Sequence, residues 1–356
     1  MKTTIIMGTR PEIIKLAPII DKIPKKNCQI VFTGQHYDYK MGLMFVDQLG
    51  IRKPDHVLTI SKSFPTIQIS QIIVKLSNIL QKDKPDTVIV QGDTNTVLAA
   101  SICSLKLGIP VSHVESGLRS FDWRMPEEHN RISTDHISEL LFAPTKNAKT
   151  NLIKENVYGK IFVTGNTAID SINKYEKISS KKSSIFIDQS DFILMTLHRA
   201  ENVDNKKILS SIIQTILNSN ETYIFPIHPR TMKRLKEFQL YQKLKNSKNI
   251  TILESVGYFE MLELMKKCLF IITDSGGIQE EATSNKIRKK VLVLRKTTDR
   301  PEAVDSGFSD LIGLNPKKIQ LAIKKTMKNP KLSQKRSPYG DGNSSSRIIS
   351  HIKKNL

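Results

Sequence analysis

The sequence is poor in cysteine, in aromatic residues and in negative charge, and it has no long apolar run. Its three cysteines, Cys28, Cys103 and Cys268, stand far apart with no CxxC or metal-type spacing. That pattern argues against a disulfide framework and suits thiols that stay reduced. Aromatic residues make up 6% of the chain and do not interleave with its basic runs, so a stacking platform for single-stranded nucleic acid has little support. No apolar stretch approaches the roughly 18 residues that cross a bilayer. The opening MKTTIIMGTRPE also lacks the h-region and small-residue cleavage site of a signal peptide, so a cytoplasmic protein with no membrane partner is expected. No HExxH pair, clustered histidines or GxSxG elbow occurs, which leaves metal hydrolysis and serine hydrolysis without a motif.

Positive charge is plentiful: 55 Lys and Arg stand against 34 Asp and Glu, a formal charge of +21 over 356 residues. Residues 317–336 alone carry eight basic side chains and no acidic one. Such a balance fits solvated lysine faces or anionic partners. With so few aromatics the solvated faces are the expected explanation, and no nucleic-acid partner is expected. At 39% hydrophobic and 25% charged, the chain is long enough for two domains with their own cores.

Short runs rich in β-branched residues alternate with helix-period segments, which predicts βαβ units and parallel sheets. In the first half the expected strands are 3–8, 29–34, 86–92, 110–115, 139–144 and 161–165. Between them, ISQIIVKLSNIL puts Ile69, Ile72, Ile73, Leu76, Ile79 and Leu80 on one helical face. After the Lys/Ser-rich stretch 174–184 a second series begins: FILMTL, TYIFPI, NITIL, CLFIIT and KVLVL. The fold class expected is α/β, with two doubly wound Rossmann-like domains facing a cleft. Ligands of such sheets bind beyond the carboxyl ends of the strands, where MGTRPE, TGQH, QGDTN, HVESG, TLHR, PIHPR and TDSGG fall.

Several of these strand ends carry chemistry. In TDSGGIQEEA, Ser275, Gly276 and Gly277 would open a helix with unpaired N–H groups, a diphosphate site or simply a strand-to-helix turn. Glu280 and Glu281 follow, within reach of a ribose diol or only favouring the dipole. In GTRPEIIK, Pro11 suits the first helical position. Arg10 would grip phosphate as a fork or else sit at the surface, with Lys15 a turn further on. Asp93 alone reads as a helix cap. Together with Glu115, Glu127 and Glu128, however, it makes four carboxylates at adjacent strand ends, a source of general acids and bases. Glu127 and Glu128 are about 100° apart on a helix and cannot share a face; Glu127 lies four residues before Arg131 and can share its face. His198 and His228 each follow a strand, as phosphate contacts or as structural histidines.

Taken in order, GTRPEIIK, TGQH, QGDTNT, HVESGLRS, MPEEHNR, TGNTAID, HRAEN, TDSGGIQEEA, TTDRPEAVDSG and PYGDG resemble the non-hydrolysing UDP-N-acetylglucosamine 2-epimerases over roughly residues 1–352. The resemblance implies a GT-B-like fold: a domain at 1–168 holding the acid-base carboxylates, a UDP-binding domain at 169–339, and a final helix at 340–356 returning to the first. It implies reversible conversion of UDP-N-acetylglucosamine to UDP-N-acetylmannosamine through anti elimination of UDP and a 2-acetamidoglucal, with no added cofactor or metal, in a homodimer serving surface-glycan synthesis.

By motif, Asp93, Glu115 and Glu127 match the acid-base positions, and His198 a position near the phosphates. Ser275, Gly276 and Gly277 match the diphosphate loop, Glu281 the ribose contact and Arg300 a phosphate-side cation. Arg10, Lys15 and Arg131 match active-site cations. Which carboxylate removes the C2 proton and which returns it stays open. The chain departs from the family at SNKIRKKVLVLRKTTDRPE, which is two residues longer before the strand and has Lys296 in place of Asp. Residues 37–51 and the stretch from Phe121 to Thr145 look more like archaeal members, and like relatives acting on diacetamido uronic-acid sugars. The alternatives are therefore an epimerase of such a UDP-sugar, or a hydrolysing epimerase releasing N-acetylmannosamine and UDP.

Overall fold

A computed structural model of the chain describes residues 1–34, 39–61, 63–183, 191–254, 256–332 and 335–356. It divides into two compact units, Met1–Lys174 with Tyr339–Leu356, and Tyr175–Pro338. Each is built on one parallel sheet.

The first sheet contains β1 (Thr3–Met7), β2 (Cys28–Phe32), β3 (His56–Val57), β4 (Thr87–Gln91), β5 (Val111–Val114), β6 (Leu140–Ala143) and β7 (Lys160–Val163). Their order is β3-β2-β1-β4-β5-β6-β7, with Thr3 of β1 in register with Cys28 on one side and Thr87 on the other. Every residue of β1 and β4 is buried. Helices cover both faces of a doubly wound sheet, so its central strands read as unbroken apolar runs rather than as alternation. Helix Pro65–Asp83 supplies one cover. It buries Ile72, Leu76 and Leu80, with Ile69, Ile73 and Ile79 packed at the edge of the same core, the face its 3.6-residue spacing predicts.

The second sheet contains β8 (Ile193–Thr196), β9 (Tyr223–Pro226), β10 (Ile250–Leu253), β11 (Ile271–Thr273), β12 (Val291–Val293) and β13 (Ser309–Leu311) in the order β10-β9-β8-β11-β12-β13. Two strands escaped the sequence reading. β3 has two half-buried residues, and β13 reads Ser-Asp-Leu with only its first residue buried. Both lie at sheet edges and pair on one side only. Edge strands can be very short and partly solvated, and these two, of two and three residues, leave no apolar run to find, whereas the four-residue edge strands β7 and β10 do.

The chain leaves the first unit after Lys174, six residues beyond the expected boundary at 168. Helix Thr167–Lys182 is anchored there by its first turns. Ser171 donates its hydroxyl to the Ile14 carbonyl at 2.6 Å. Asp170 accepts from the N–H groups of Ser344 and Ser345 at 3.1 and 2.8 Å and from the Ser345 hydroxyl at 2.6 Å. That carboxylate starts the final helix, Ser344–Asn355, which buries Ile348, Ile349 and Ile352 in the first unit. The return begins at Tyr339, whose carbonyl takes the Asn166 N–H at 2.8 Å.

Candidate active site

In the first unit the chain order reverses between β1 and β4, the point at which open parallel sheets leave a crevice for ligands. The turns after β1, β4, β5 and β7 all contribute there. Helix Arg10–Ile20 follows β1 with Pro11 in its first turn, and the Arg10 guanidinium lies 4.5 Å from the centre of the Phe45 ring. One turn on, buried Lys15 forms an ion pair with Glu115. Glu115 follows β5 with φ 69°, a left-handed conformation that is rare outside glycine and concentrates at functional turns. The same carboxylate oxygen accepts from the Asn166 amide at 3.0 Å.

Asp93 follows β4 and pairs with Arg131. Arg131 in turn donates to Glu128 at 2.9 Å, and the Asn130 amide holds the Asp93 carbonyl at 2.9 Å. Helix Pro126–His136 therefore splits its two glutamates as 100° spacing requires. Glu128 is buried. It accepts from the N–H and hydroxyl of Ser120 and from the Phe121 N–H at 2.9–3.1 Å. Glu127 is half-buried and makes no hydrogen bond or ion pair among the described residues. Arg131 thus turns to Glu128 and Asp93, not to the glutamate four residues before it.

Behind these turns lies a buried ionic cluster. His113 of β5 faces Asp135 at 2.7 Å through Nδ1 and the Gly92 carbonyl at 2.8 Å through Nε2. Asp135 also accepts from the Gly117 N–H at 3.1 Å and from Arg119 at 2.7 Å. Burial opposes its charge, but His113 and Arg119 outweigh burial and hold its carboxyl below the usual range.

In the second unit, His198 follows β8 and places Nδ1 3.2 Å from buried Asp274 at the end of β11. Asp274 also accepts from the N–H groups of His198 and Arg199 and from the Asn202 amide, at 3.0–3.2 Å. Burial raises its pKa, and these donors, His198 first, bring it below the ordinary value. A proton on Nδ1 is the arrangement that satisfies Asp274, and it leaves Nε2 as the outward nitrogen. The His228 ring centre lies 5.6 Å away, and its Nδ1 accepts from the Arg230 N–H at 3.2 Å.

Ser275 caps helix Gly276–Glu281 through the Ile278 N–H. Arg300 pairs with buried Glu280 and, at 2.9 Å, with Asp299. Glu281 is half-buried at the helix end and Gly277 half-buried at its start.

Of the residues singled out from sequence, Arg10, Lys15, Asp93, Glu115, Glu127 and Arg131 belong to the first unit, where Lys15 meets Glu115 and Asp93 meets Arg131, and His198, Ser275, Gly276, Gly277, Glu281 and Arg300 belong to the second. Gln35 and His36 of TGQH lie outside the described residues. Sequence reasoning passed over Asn166 and Asp274, although both stand inside quoted motifs, as the polar residue just after a strand in TGN and TDSGG. No group of three His, Cys, Asp or Glu suited to a metal occurs among the described residues, nor does a helix long and apolar enough to cross a membrane.

The family model described as UDP-N-acetylglucosamine 2-epimerase matches residues 19–353. A UDP-N-acetylglucosamine 2-epimerase of Methanocaldococcus jannaschii is 48% identical over 363 residues, covering 98% of each chain. A crystal structure of the M. jannaschii UDP-GlcNAc 2-epimerase in complex with UDP-GlcNAc and UDP superposes with a TM-score of 0.92 at 45% identity, covering both chains fully. A UDP-2,3-diacetamido-2,3-dideoxy-D-glucuronate 2-epimerase of Pseudomonas aeruginosa is 36% identical over 99% of this chain and 100% of its own. The two parallel sheets and the final helix are of the GT-B-like kind.

Proposed function

The chain belongs to the UDP-N-acetylglucosamine 2-epimerase family, and from that premise we propose that it interconverts UDP-N-acetylglucosamine and UDP-N-acetylmannosamine by eliminating and re-adding UDP. A carboxylate of the first unit removes the C2 proton. The C1–O bond to the diphosphate breaks as the C1–C2 double bond forms, giving 2-acetamidoglucal and UDP. A proton then reaches C2 from the opposite face, and the UDP oxygen re-forms the bond to C1. Atoms and charge balance over the cycle, and no redox partner is required.

The observation that carries this reading is the pair of carboxylates at neighbouring strand ends, Glu115 held by Lys15 and Asn166 and Asp93 held by Arg131; half-buried Glu127 shares the helix that carries Arg131. Proton transfer at an unactivated carbon needs acids and bases fixed within hydrogen-bond reach, and each of these two is anchored by a cation. The departing diphosphate needs cationic and N–H stabilisation, which Arg10, the Ser275–Gly277 turn, His198 and Arg300 supply, with Glu281 on the ribose. The higher identity to the M. jannaschii relative than to the diacetamido-uronate epimerase supports the N-acetylglucosamine substrate. We take the working form to be a homodimer serving glycan synthesis in the cytoplasm.

The test is incubation of the purified protein with UDP-N-acetylglucosamine in deuterated water. Deuterium at C2 of both epimers is expected. No exchange with this sugar would defeat the reading, exchange only with the diacetamido uronate would reassign the substrate, and stoichiometric release of free UDP would make the enzyme a hydrolysing one.

A further inference from the structure

Glu12 stands in the GTRPE motif, yet none of the roles above uses it. Its carboxylate is 1% exposed and reaches in two directions. Oε2 accepts from the Gly8 N–H at 2.5 Å and from the Thr9 N–H at 3.3 Å. Oε1 accepts from the Thr94 hydroxyl at 2.7 Å. The first two donors belong to the turn after β1, which delivers Arg10. The third belongs to the turn after β4 and is the neighbour of Asp93. One carboxylate therefore joins the outgoing turns of the two central strands at the point where strand order reverses.

A helix cap alone does not explain this placement. The reciprocal bond of a capping box needs only the Thr9 N–H, not a hydroxyl 82 residues away. A buried carboxylate is also costly unless every lone pair is used, whereas a cap at the surface would be solvated. The surroundings leave little slack: a Cβ on Gly8 would overlap the hydroxyls of Thr33 and Thr96, which bond each other at 2.7 Å.

We propose that Glu12 is a positioning residue for the epimerisation, fixing the Asp93-bearing turn relative to the Arg10-bearing turn through Thr94. The inference rests on the roles given to Asp93 and Arg10 above. The link requires an acceptor toward Gly8 and any hydrogen-bonding partner toward Thr94. Glu12→Gln keeps it, because its amide oxygen can face Gly8 while its NH2 donates to the Thr94 hydroxyl. Glu12→Ala and Thr94→Val each cut it, and Thr94→Ser restores it. Thr94 also caps helix Asn95–Lys106 through the Val97 N–H at 3.4 Å, so Thr94→Val costs some stability as well. Loss of a cap, however, does not by itself lower turnover of the folded enzyme.

The experiment measures kcat and KM for epimerisation, and the dissociation constant of UDP, for the wild type, Thr94→Val, Thr94→Ser, Glu12→Gln, Glu12→Ala and the Glu12→Ala/Thr94→Val pair. Thr94→Val should lower kcat about tenfold or more, since a displacement of about 1 Å can cost up to about 100-fold. UDP affinity should stay within about twofold of the wild type. Thr94→Ser and Glu12→Gln should recover most of kcat, and the double variant should be no slower than Glu12→Ala.

Wild-type kcat in Thr94→Val, or multiplicative losses in the double variant, would overturn the proposal. If Glu12→Ala does not fold, the contrast of Thr94→Val with Thr94→Ser and Glu12→Gln decides. A wild type without C2 exchange would instead defeat the function proposed above, whatever the variants do.

Discussion

Lys15 and Glu115 lie 100 residues apart in sequence and form an ion pair with both side chains 8% exposed. The pair ties the second turn of the helix after β1 to the left-handed turn after β5, with Asn166, in the turn after β7, as a third member. Removing one partner of a buried pair leaves an uncompensated charge. Lys15→Met should therefore lower unfolding stability by about 3 kcal/mol, read by denaturant titration at neutral pH, and should lower kcat as well. A variant as stable as the wild type would show that Glu115 is satisfied without it.

Glu127 differs from Asp93, Glu115 and Glu128 in lacking a protein partner among the described residues, as a group kept for substrate would. Glu127→Gln should lower kcat by roughly 100-fold to 10,000-fold, the range of general acid-base catalysis, with little change in UDP affinity measured by calorimetry. A matching loss of UDP affinity would assign Glu127 to binding instead.

The buried Asp274 holds His198 and the turn after β8 by four hydrogen bonds. Asp274→Asn keeps the shape and removes the charge, so one of these donors meets an amide NH2. UDP affinity should fall by roughly tenfold while the unfolding transition remains cooperative. Unchanged affinity would separate this cluster from nucleotide binding.

Burial pushes the Glu12 carboxyl up to about 7, against the lowering effect of its bonds from Thr94, Gly8 and Thr9. The folded state thus binds this proton more tightly than the unfolded chain does. Its contribution to stability is complete below the unfolded value near 4.5 and is lost as pH rises through about 7. Glu12→Gln, which cannot ionise, should flatten that part of the stability curve between pH 4.5 and 7. Denaturant midpoints across the range check it, and an identical slope in both proteins would contradict it.

Much of this architecture can be read from the sequence, because central parallel strands must be apolar on both faces. β1 and β4 are visible as TTIIM and TVIVQ, and the strand ends carry the unusual residues. What was not legible depends on partners distant in sequence. Glu12 gains its meaning from Thr94 and Asn166 from Glu115, while Asp274 gains its meaning from the turn at His198. Arg131 shows the same limit: helical spacing allowed Glu127 as its neighbour, but Asp93 on another strand end draws it toward Glu128.

The most direct measurement follows oxygen rather than hydrogen. UDP-N-acetylglucosamine carrying 18O in the bridge between C1 and the β-phosphorus should, on incubation with the enzyme, scramble that label into the non-bridging β-phosphate positions while C2 takes up solvent deuterium. Both exchanges should appear in recovered substrate, because UDP leaves and returns within the site. Deuterium uptake with the 18O still in the bridge would mean that C2 inverts without loss of UDP, contradicting the elimination proposed for this chain.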